Sequence, residues 1–414
     1  MELTYIIINA VLYVGLFLFL LRKRKSTIGI FLGLIWSISA LSTIFFYINI
    51  YKDKQTNQIT LFPFIYLFVL VIIFFLPAIN IKEKKIQFIS GNYYFLKAIS
   101  ILAILINILP FIENMIYAII HIFERADTFG INYNNQEKMD FLSSISLVLY
   151  KYSTYLRIVI PFILFYFLQY SKNNKILIIG LIICVFNPII GSLNSGSRFV
   201  MVTDILYFSI IYLFFKNTID EKVRRRIIKV FSIGGILMLI IFVSITVFRF
   251  SDKGMGMYSI WGWLSLYTGE SFLNFNADMW KITQYTDGDN SFFLIRYWLG
   301  EYPEPIRSFQ FLGTKVPIRT NVFYTFIGDF YMDFGKYVTV VIIMLLSCFF
   351  YVKSKKCSTN TPIHILMLLG LYLKIACVGF TYFTYLNGAI SVPYSLVIIF
   401  FVFLSSKGSK IRYN

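Results

Sequence analysis

Charge is what this chain has least of. Charged residues make up 14% of its 414 residues, where a soluble domain carries about 25%. That shortage, beside an apolar content of 58%, excludes an ordinary soluble enzyme and a disordered chain. The two histidines and four cysteines show no CxxC or Cys/His spacing, so neither a zinc centre nor a disulfide framework is supported. No metal site and no cofactor is expected. Proline is scarce, at 10 residues. The apolar runs are continuous, without the alternation that marks the strands of an outer-membrane barrel. The first run ends in Arg22-Lys23-Arg24-Lys25 without a small-residue cleavage site, and reads as a retained span.

What is present is apolar mass in long stretches. Phe (45) and Tyr (30) are abundant and the mean hydropathy is +0.73. Runs of about 20 residues recur from end to end, each long enough to cross a bilayer as a helix. The expected fold is an all-α polytopic membrane protein, one integral domain over 1–414. About eleven spans are predicted, near 4–21, 27–49, 61–80, 95–122, 147–170, 175–193, 198–215, 230–249, 331–352, 363–385 and 389–405.

The net charge of +18 follows the same map and does not point to nucleic acid. Alternate loops carry the basic clusters, among them Lys82/Lys84/Lys85, Lys222 with Arg224-Arg225-Arg226, and Lys353/Lys355/Lys356. By the positive-inside rule these loops are cytoplasmic, which puts the N-terminus outside and the C-terminus inside. Residues 250–330 then form one large outer loop. It holds four of the five tryptophans, Trp261, Trp263, Trp280 and Trp298.

Ionisable groups inside spans cost at least about 2.5–3.5 kcal/mol each at mid-membrane, so each needs a reason. Arg157, Asp204 and Lys374 are the main ones. Either Arg157 or Lys374 pairs with Asp204 to hold helices together, or these groups line a polar cavity for a charged substrate. The turn Gly191-Ser-Leu-Asn194-Ser-Gly196-Ser197-Arg198 offers backbone N–H groups beside a guanidinium, which suits a phosphate. A turn needs such residues anyway. Arg249 ends the span entering the large loop, where an arginine is equally at home snorkelling to headgroups. The tryptophans read as an interfacial belt or as platforms for sugar rings. The run from Trp261 to Trp280 predicts an amphipathic helix lying at the surface. Asn321, Tyr324, Thr325 and Asp329 are spaced to share one face of a helix at the outer mouth of a span.

Three stretches carry a family resemblance: Ser-Gly-Ser-Arg198, Tyr267-Thr-Gly-Glu-Ser-Phe-Leu-Asn274-Phe-Asn276, and Asn321-x-x-Tyr-Thr325 followed by Asp333-Phe-Gly335. In order and spacing they resemble the Wzy-type oligosaccharide repeat-unit polymerases of bacterial surface polysaccharides, over about 190–336. Glu270 stands where small residues are common in that family. The resemblance implies a metal-independent glycosyltransferase of the bacterial cytoplasmic (inner) membrane. It moves a growing glycan from a polyprenyl diphosphate to a lipid-linked repeat unit outside. Its partners are polyprenyl-diphosphate-linked oligosaccharides and membrane lipids, with a chain-length regulator and a flippase beside it.

On that reading Arg198 and Arg249, with Arg157 deeper, clamp the diphosphate. Asp329, Asp333 and Glu270 are alternative bases for the acceptor hydroxyl. Asp204, Tyr267, Asn274, Asn276, Arg319, Asn321, Tyr324 and Thr325, with Trp261, Trp263 and Trp280, are expected around the substrate. An O-antigen ligase shares the layout and the diphosphate chemistry. A lipid-linked-oligosaccharide flippase shares the span-rich composition without needing the large loop.

Overall fold

The computed structural model describes residues 1–51, 58–121, 141–170, 174–194, 198–251, 257–292, 296, 299–300, 316, 318–319, 322–385 and 391–408. Residues 121, 198–200, 237–251, 257–261, 263–264, 391 and 407–408 are described by their backbone alone. Among the described residues the protein is helical almost throughout, with one two-stranded parallel ribbon of β1 (Phe88–Ser90) and β2 (Asn360–Pro362).

A helix stands at each predicted span. In order they are α1 (Glu2–Lys23), α2 (Thr27–Phe46), α3 (Leu61–Asn80), α4 (Tyr93–His121), α5 (Ser144–Leu156) and α6 (Ile160–Gln169), then α7 (Lys175–Asn194), α8 (Arg198–Phe215) and α9 (Glu221–Ser251). After them come α10 (Met257–Ala277), α11 (Thr325–Ser354), α12 (Ile363–Val378) and α13 (Ser391–Gly408). Among the described residues six helices are long and apolar enough to cross a membrane, or seven if the bent pair α5–α6 is one span. Their outer faces carry exposed Val11, Phe19, Leu105 and Leu345, side chains that a bilayer solvates and water does not. This is a multi-pass helical membrane protein.

The chain divides into two compact units. The first comprises 1–83, 257–356 and 372–389. Its centre is the fully buried Trp36 on α2, which donates its indole N–H to the Ala376 carbonyl at 2.8 Å. Phe75, Phe272 and Phe326 meet that ring edge-on. Helix α2 starts where Ser26 caps the Gly29 N–H at 3.1 Å. The buried Glu83 carboxylate then accepts from the Ser26 hydroxyl and the Thr27 N–H, an anion where a helix N-terminus favours one.

Helix α10 corrects the surface-helix reading of 261–280 and divides the expected loop. Its second half is buried and packs on α2, with Thr43 donating to the Gly269 carbonyl at 3.0 Å. Gly269 makes that approach possible, because a Cβ there would lie 2.5 Å from the Thr43 backbone nitrogen. Polar residues on α10 face protein: Ser271 bonds the Phe380 carbonyl, and Asn276 donates to Thr60 O at 2.6 Å and accepts from Thr60 N–H at 3.0 Å.

The second unit comprises 84–256, 357–371 and 390–414. An amide ladder joins α4 to α7. Asn187 donates to Asn107 at 2.9 Å, Asn114 donates to Asn187 at 2.9 Å, and Asn194 donates to the Asn114 carbonyl at 2.8 Å. All four are buried. In a bilayer such bonds hold helices that no hydrophobic effect drives together. The predicted span 147–170 is broken: α5 and α6 meet at 69°. Pro161 opens α6, where its missing N–H costs nothing. Freed backbone at the break is partly satisfied by Tyr207, whose hydroxyl donates to Ile158 O at 3.1 Å.

Candidate functional site

Helix α10 and residues just before α11 build a polar site in the first unit. Glu270, Asn274 and Asp278 recur every four residues, so one side of α10 and its C-terminal extension carries all three. Arg319 reaches across to them. It donates to Asn274 at 2.9 Å and to Asp278 at 3.0 and 2.7 Å, which makes a two-pronged guanidinium–carboxylate contact. The Tyr324 hydroxyl donates to the Arg319 carbonyl at 2.7 Å, fixing the backbone that presents the guanidinium. Asn274 donates to Phe323 O at 3.1 Å, while Glu270 accepts from Phe323 N–H at 3.2 Å.

Glu270 is a buried carboxylate. Burial pushes its pKa up to about 7, against the downward pull of the Phe323 N–H, the Asn274 amide and the Arg319 charge. Beside it stand three half-buried aromatic rings. Phe323 lies 6.3 Å from Tyr267 and stacks on Tyr382 at 5.7 Å with an interplanar angle of 21°. Sequence reading named Tyr267 and missed Phe323 and Tyr382; no local pattern marks them, because Tyr382 comes from the turn after α12.

Asp329 and Asp333 sit in a different setting. The Asp333 carboxylate accepts from the Thr286 hydroxyl, the Asn290 N–H at 3.0 Å and the Ser291 N–H at 2.6 Å. Its own carbonyl takes the Asp287 N–H at 3.0 Å. Asp287 and Gly288 have φ of 51° and 89°, so Asp333 pins a tight turn. Arg296 closes that turn from outside, 2.9 Å from Asp289. Asp329 accepts from the Asn290 amide at 3.2 Å and from the Phe383 N–H at 2.6 Å. Asp333 is fully buried.

Of the expected shared face, Asn321 lies outside the described residues and Tyr324 precedes the helix that carries Thr325 and Asp329. Helix α11 begins only at Thr325. The Thr325 and Phe326 N–H groups donate to Thr381 O and Gly379 O, both at 2.8 Å, so the start of α11 is tied to the turn after α12. Thr325 has φ of 70°, a strained value for a β-branched residue that these bonds enforce. Helix α12 correspondingly stops at Val378, short of the predicted 385, because residues 379–381 turn to meet α11. Gly335, with φ of 70°, breaks α11 where Tyr285 leaves no room for a Cβ, at 2.5 Å.

Trp280 is packed on several sides. Tyr66 at 5.1 Å, Phe62 at 5.4 Å and Tyr331 at 5.6 Å surround it, and the Lys336 ammonium lies 5.0 Å from its ring centre. The ring is part of the packing and is not a bare platform. Asn276 serves the start of α3, as described above.

In the second unit Arg157 pairs with Asp204, its Nε 2.7 Å from Oδ2, so Arg157 and not Lys374 is the partner. Arg157 caps the break at the end of α5. The side chains of Arg198, Arg249, Trp261 and Trp263, and the whole of Asn321 and Trp298, lie outside the described residues. Among the described residues no three His, Cys, Asp or Glu side chains gather as a metal site would need. Comparison of the chain with protein-family models, curated proteins and solved structures finds no match.

Proposed function

We propose that this protein is an oligosaccharide repeat-unit polymerase of a bacterial cytoplasmic membrane, crossing it eleven times with the N-terminus outside. The alternation of basic loops supports that sidedness. It places Glu270 and its neighbours toward the outer face, where lipid-linked glycans are joined.

In this reading an acceptor sugar lies on the shelf of Tyr267, Phe323 and Tyr382, its apolar ring face against the aromatic rings. Asn274 and Arg319 bond its hydroxyls. The acceptor oxygen forms a bond to the anomeric carbon of the donor glycan as the bond from that carbon to the diphosphate breaks. Glu270 takes the proton of the attacking hydroxyl. The polyprenyl diphosphate leaves with the electron pair, and Arg198 and Arg249 meet the charge that develops on its oxygens. Arg157, already neutralised by Asp204, drops from the clamp to a structural role.

The observation that carries this reading is the contrast among the three carboxylates. Asp329 and Asp333 tie distant segments to α11 through backbone donors. Glu270 stands beside the aromatic shelf with a pKa near 7, matched to a general base at neutral pH.

The test is a gene-deletion strain complemented at matched protein level, with surface polysaccharide read as a ladder of lengths. Deletion should leave a single capping repeat; ligase loss would leave lipid-linked polymer, and flippase loss no repeat outside. Glu270→Gln should reach the membrane normally yet give only the single repeat. A full ladder from Glu270→Gln would remove it as the base.

A further inference from the structure

The second unit holds a cavity of about 450 Å³ between α6, α7, α8 and α9. Its walls are apolar, with Leu164, Phe165, Ile182, Phe208, Ile227 and Phe231 typical of them. Charged groups stand only at its ends. Arg226 on the first turns of α9 marks one end, and the Arg157–Asp204 pair marks the other. Chain direction supports this layout. Leu168 at the end of α6, Ile178 at the start of α7 and Val223 at the start of α9 line the Arg226 end, while Pro161 and Ile189 lie toward the pair.

Length narrows what fits. Along α9 the lining runs from Val223 to Gly235, which at 1.5 Å per residue is about 18 Å. One leaflet's share of a bilayer's hydrocarbon core is about 15 Å. A single acyl chain matches that depth, whereas the polyprenyl chain of a glycan carrier is far longer than one leaflet. The entrance is cationic. Arg224 and Arg225 are engaged by Glu221, at 3.9 and 2.6 Å. Arg226 has no ion-pair partner among the described residues, and Lys222 and Lys229 flank it.

We infer that this cavity binds one chain of an anionic glycerophospholipid from the leaflet on the basic side, with Arg226 on its phosphate. The lipid completes the packing between α9 and the other three helices. The site lies wholly in the second unit and is independent of the polymerase reading.

Two glycines make the test clean. Gly234 and Gly235 line the cavity, and a Cβ at either meets nothing within 4 Å. Gly235→Leu therefore adds a side chain whose Cβ has room in the cavity wall, and improves helix propensity. The full-length protein, purified in mild detergent, is titrated with dioleoyl phosphatidylglycerol or dioleoyl phosphatidylcholine and bound lipid is counted by native mass spectrometry. Wild type should keep one phosphatidylglycerol in preference to phosphatidylcholine. Gly235→Leu should lose most of that lipid while its thermal unfolding holds or rises. Arg226→Gln should still bind a lipid but lose the preference for phosphatidylglycerol by about fivefold, the worth of one cation at a lipid surface. Should Gly235→Leu fail to fold, Gly234→Leu and Arg226→Gln carry the same comparison. Wild-type binding by the leucine variants, equal retention of both lipids by wild type, or preferential retention of added undecaprenyl phosphate would each overturn the inference.

Discussion

Among the described residues every buried carboxylate lies in the first unit, where several bind turns to helices, whereas the buried polar side chains of the second unit are neutral amides and hydroxyls, and its amides bind helix to helix. Glu83 caps α2, Asp333 pins the 286–291 turn and Asp329 holds Phe383. Across α4 and α7 four asparagines do the joining. A carboxylate with several backbone donors fixes irregular chain, which a substrate site needs and which is tolerated at membrane depth only where protein satisfies it. An amide ladder aligns two regular helices and asks for no charge. In the second unit the Arg157–Asp204 ion pair sits at a helix break beside a cavity.

The sharpest way to break that contrast is at Asp333. Asp333→Ala leaves the Thr286 hydroxyl and two N–H groups buried without an acceptor, at about 1–3 kcal/mol each. Its membrane level should collapse, measured by immunoblot beside a fluorescence-detected chromatography profile. Asp204→Ala should cost about 3 kcal/mol, because the Arg157 charge is stranded at an apolar wall. The double variant Arg157→Met/Asp204→Leu should recover most of it, as paired replacement of a buried ion pair usually does. Thermal unfolding in detergent reads both.

Next in size is the pH dependence from Glu270. Its folded pKa of about 7 lies above that of an unfolded glutamate, about 4.3. The folded state therefore binds the proton more tightly. The stability this gives is full below about pH 4 and is lost as pH rises toward 7, by about 4 kcal/mol in all. Glu270→Gln should flatten the unfolding temperature over that window. A wild-type slope that survives in Glu270→Gln would mean another group is responsible. The smallest effect belongs to the ladder. Asn187→Leu breaks two amide bonds, each worth about 0.6 kcal/mol in a membrane, so it should lower the unfolding temperature modestly and leave the membrane level intact.

The same contrast explains what the sequence revealed. Apolar runs mark helices directly, since a span needs little beyond length and hydrophobicity, and a helix stands at each predicted position. The Arg157–Asp204 pair was legible because ionised groups are rare in such runs. The ladder was also visible, as asparagines seven residues apart in two helices (107 and 114, 187 and 194), but amides do not stand out in a search for charge. Helix α10 was misread because its Trp, Tyr, Ser and Asn content suits an interface. Its polar side chains in fact answer backbone groups at Thr60, Phe323 and Phe380, which sequence distance hides. Sorting Glu270 from Asp329 and Asp333 needed the same information, since the donors to Asp333 lie more than 40 residues away.

The proposed role of Glu270 is that of the base beside the aromatic shelf. Its most direct test is the rate of glycan transfer between lipid-linked repeat units by the purified protein, followed from pH 5 to 9 for wild type and Glu270→Gln. Wild type should gain activity as pH rises, with a midpoint near 7, and Glu270→Gln should be inactive across the range while binding the acceptor as wild type does. A Glu270→Gln protein that transfers at the wild-type rate, with the same pH profile, would contradict the account.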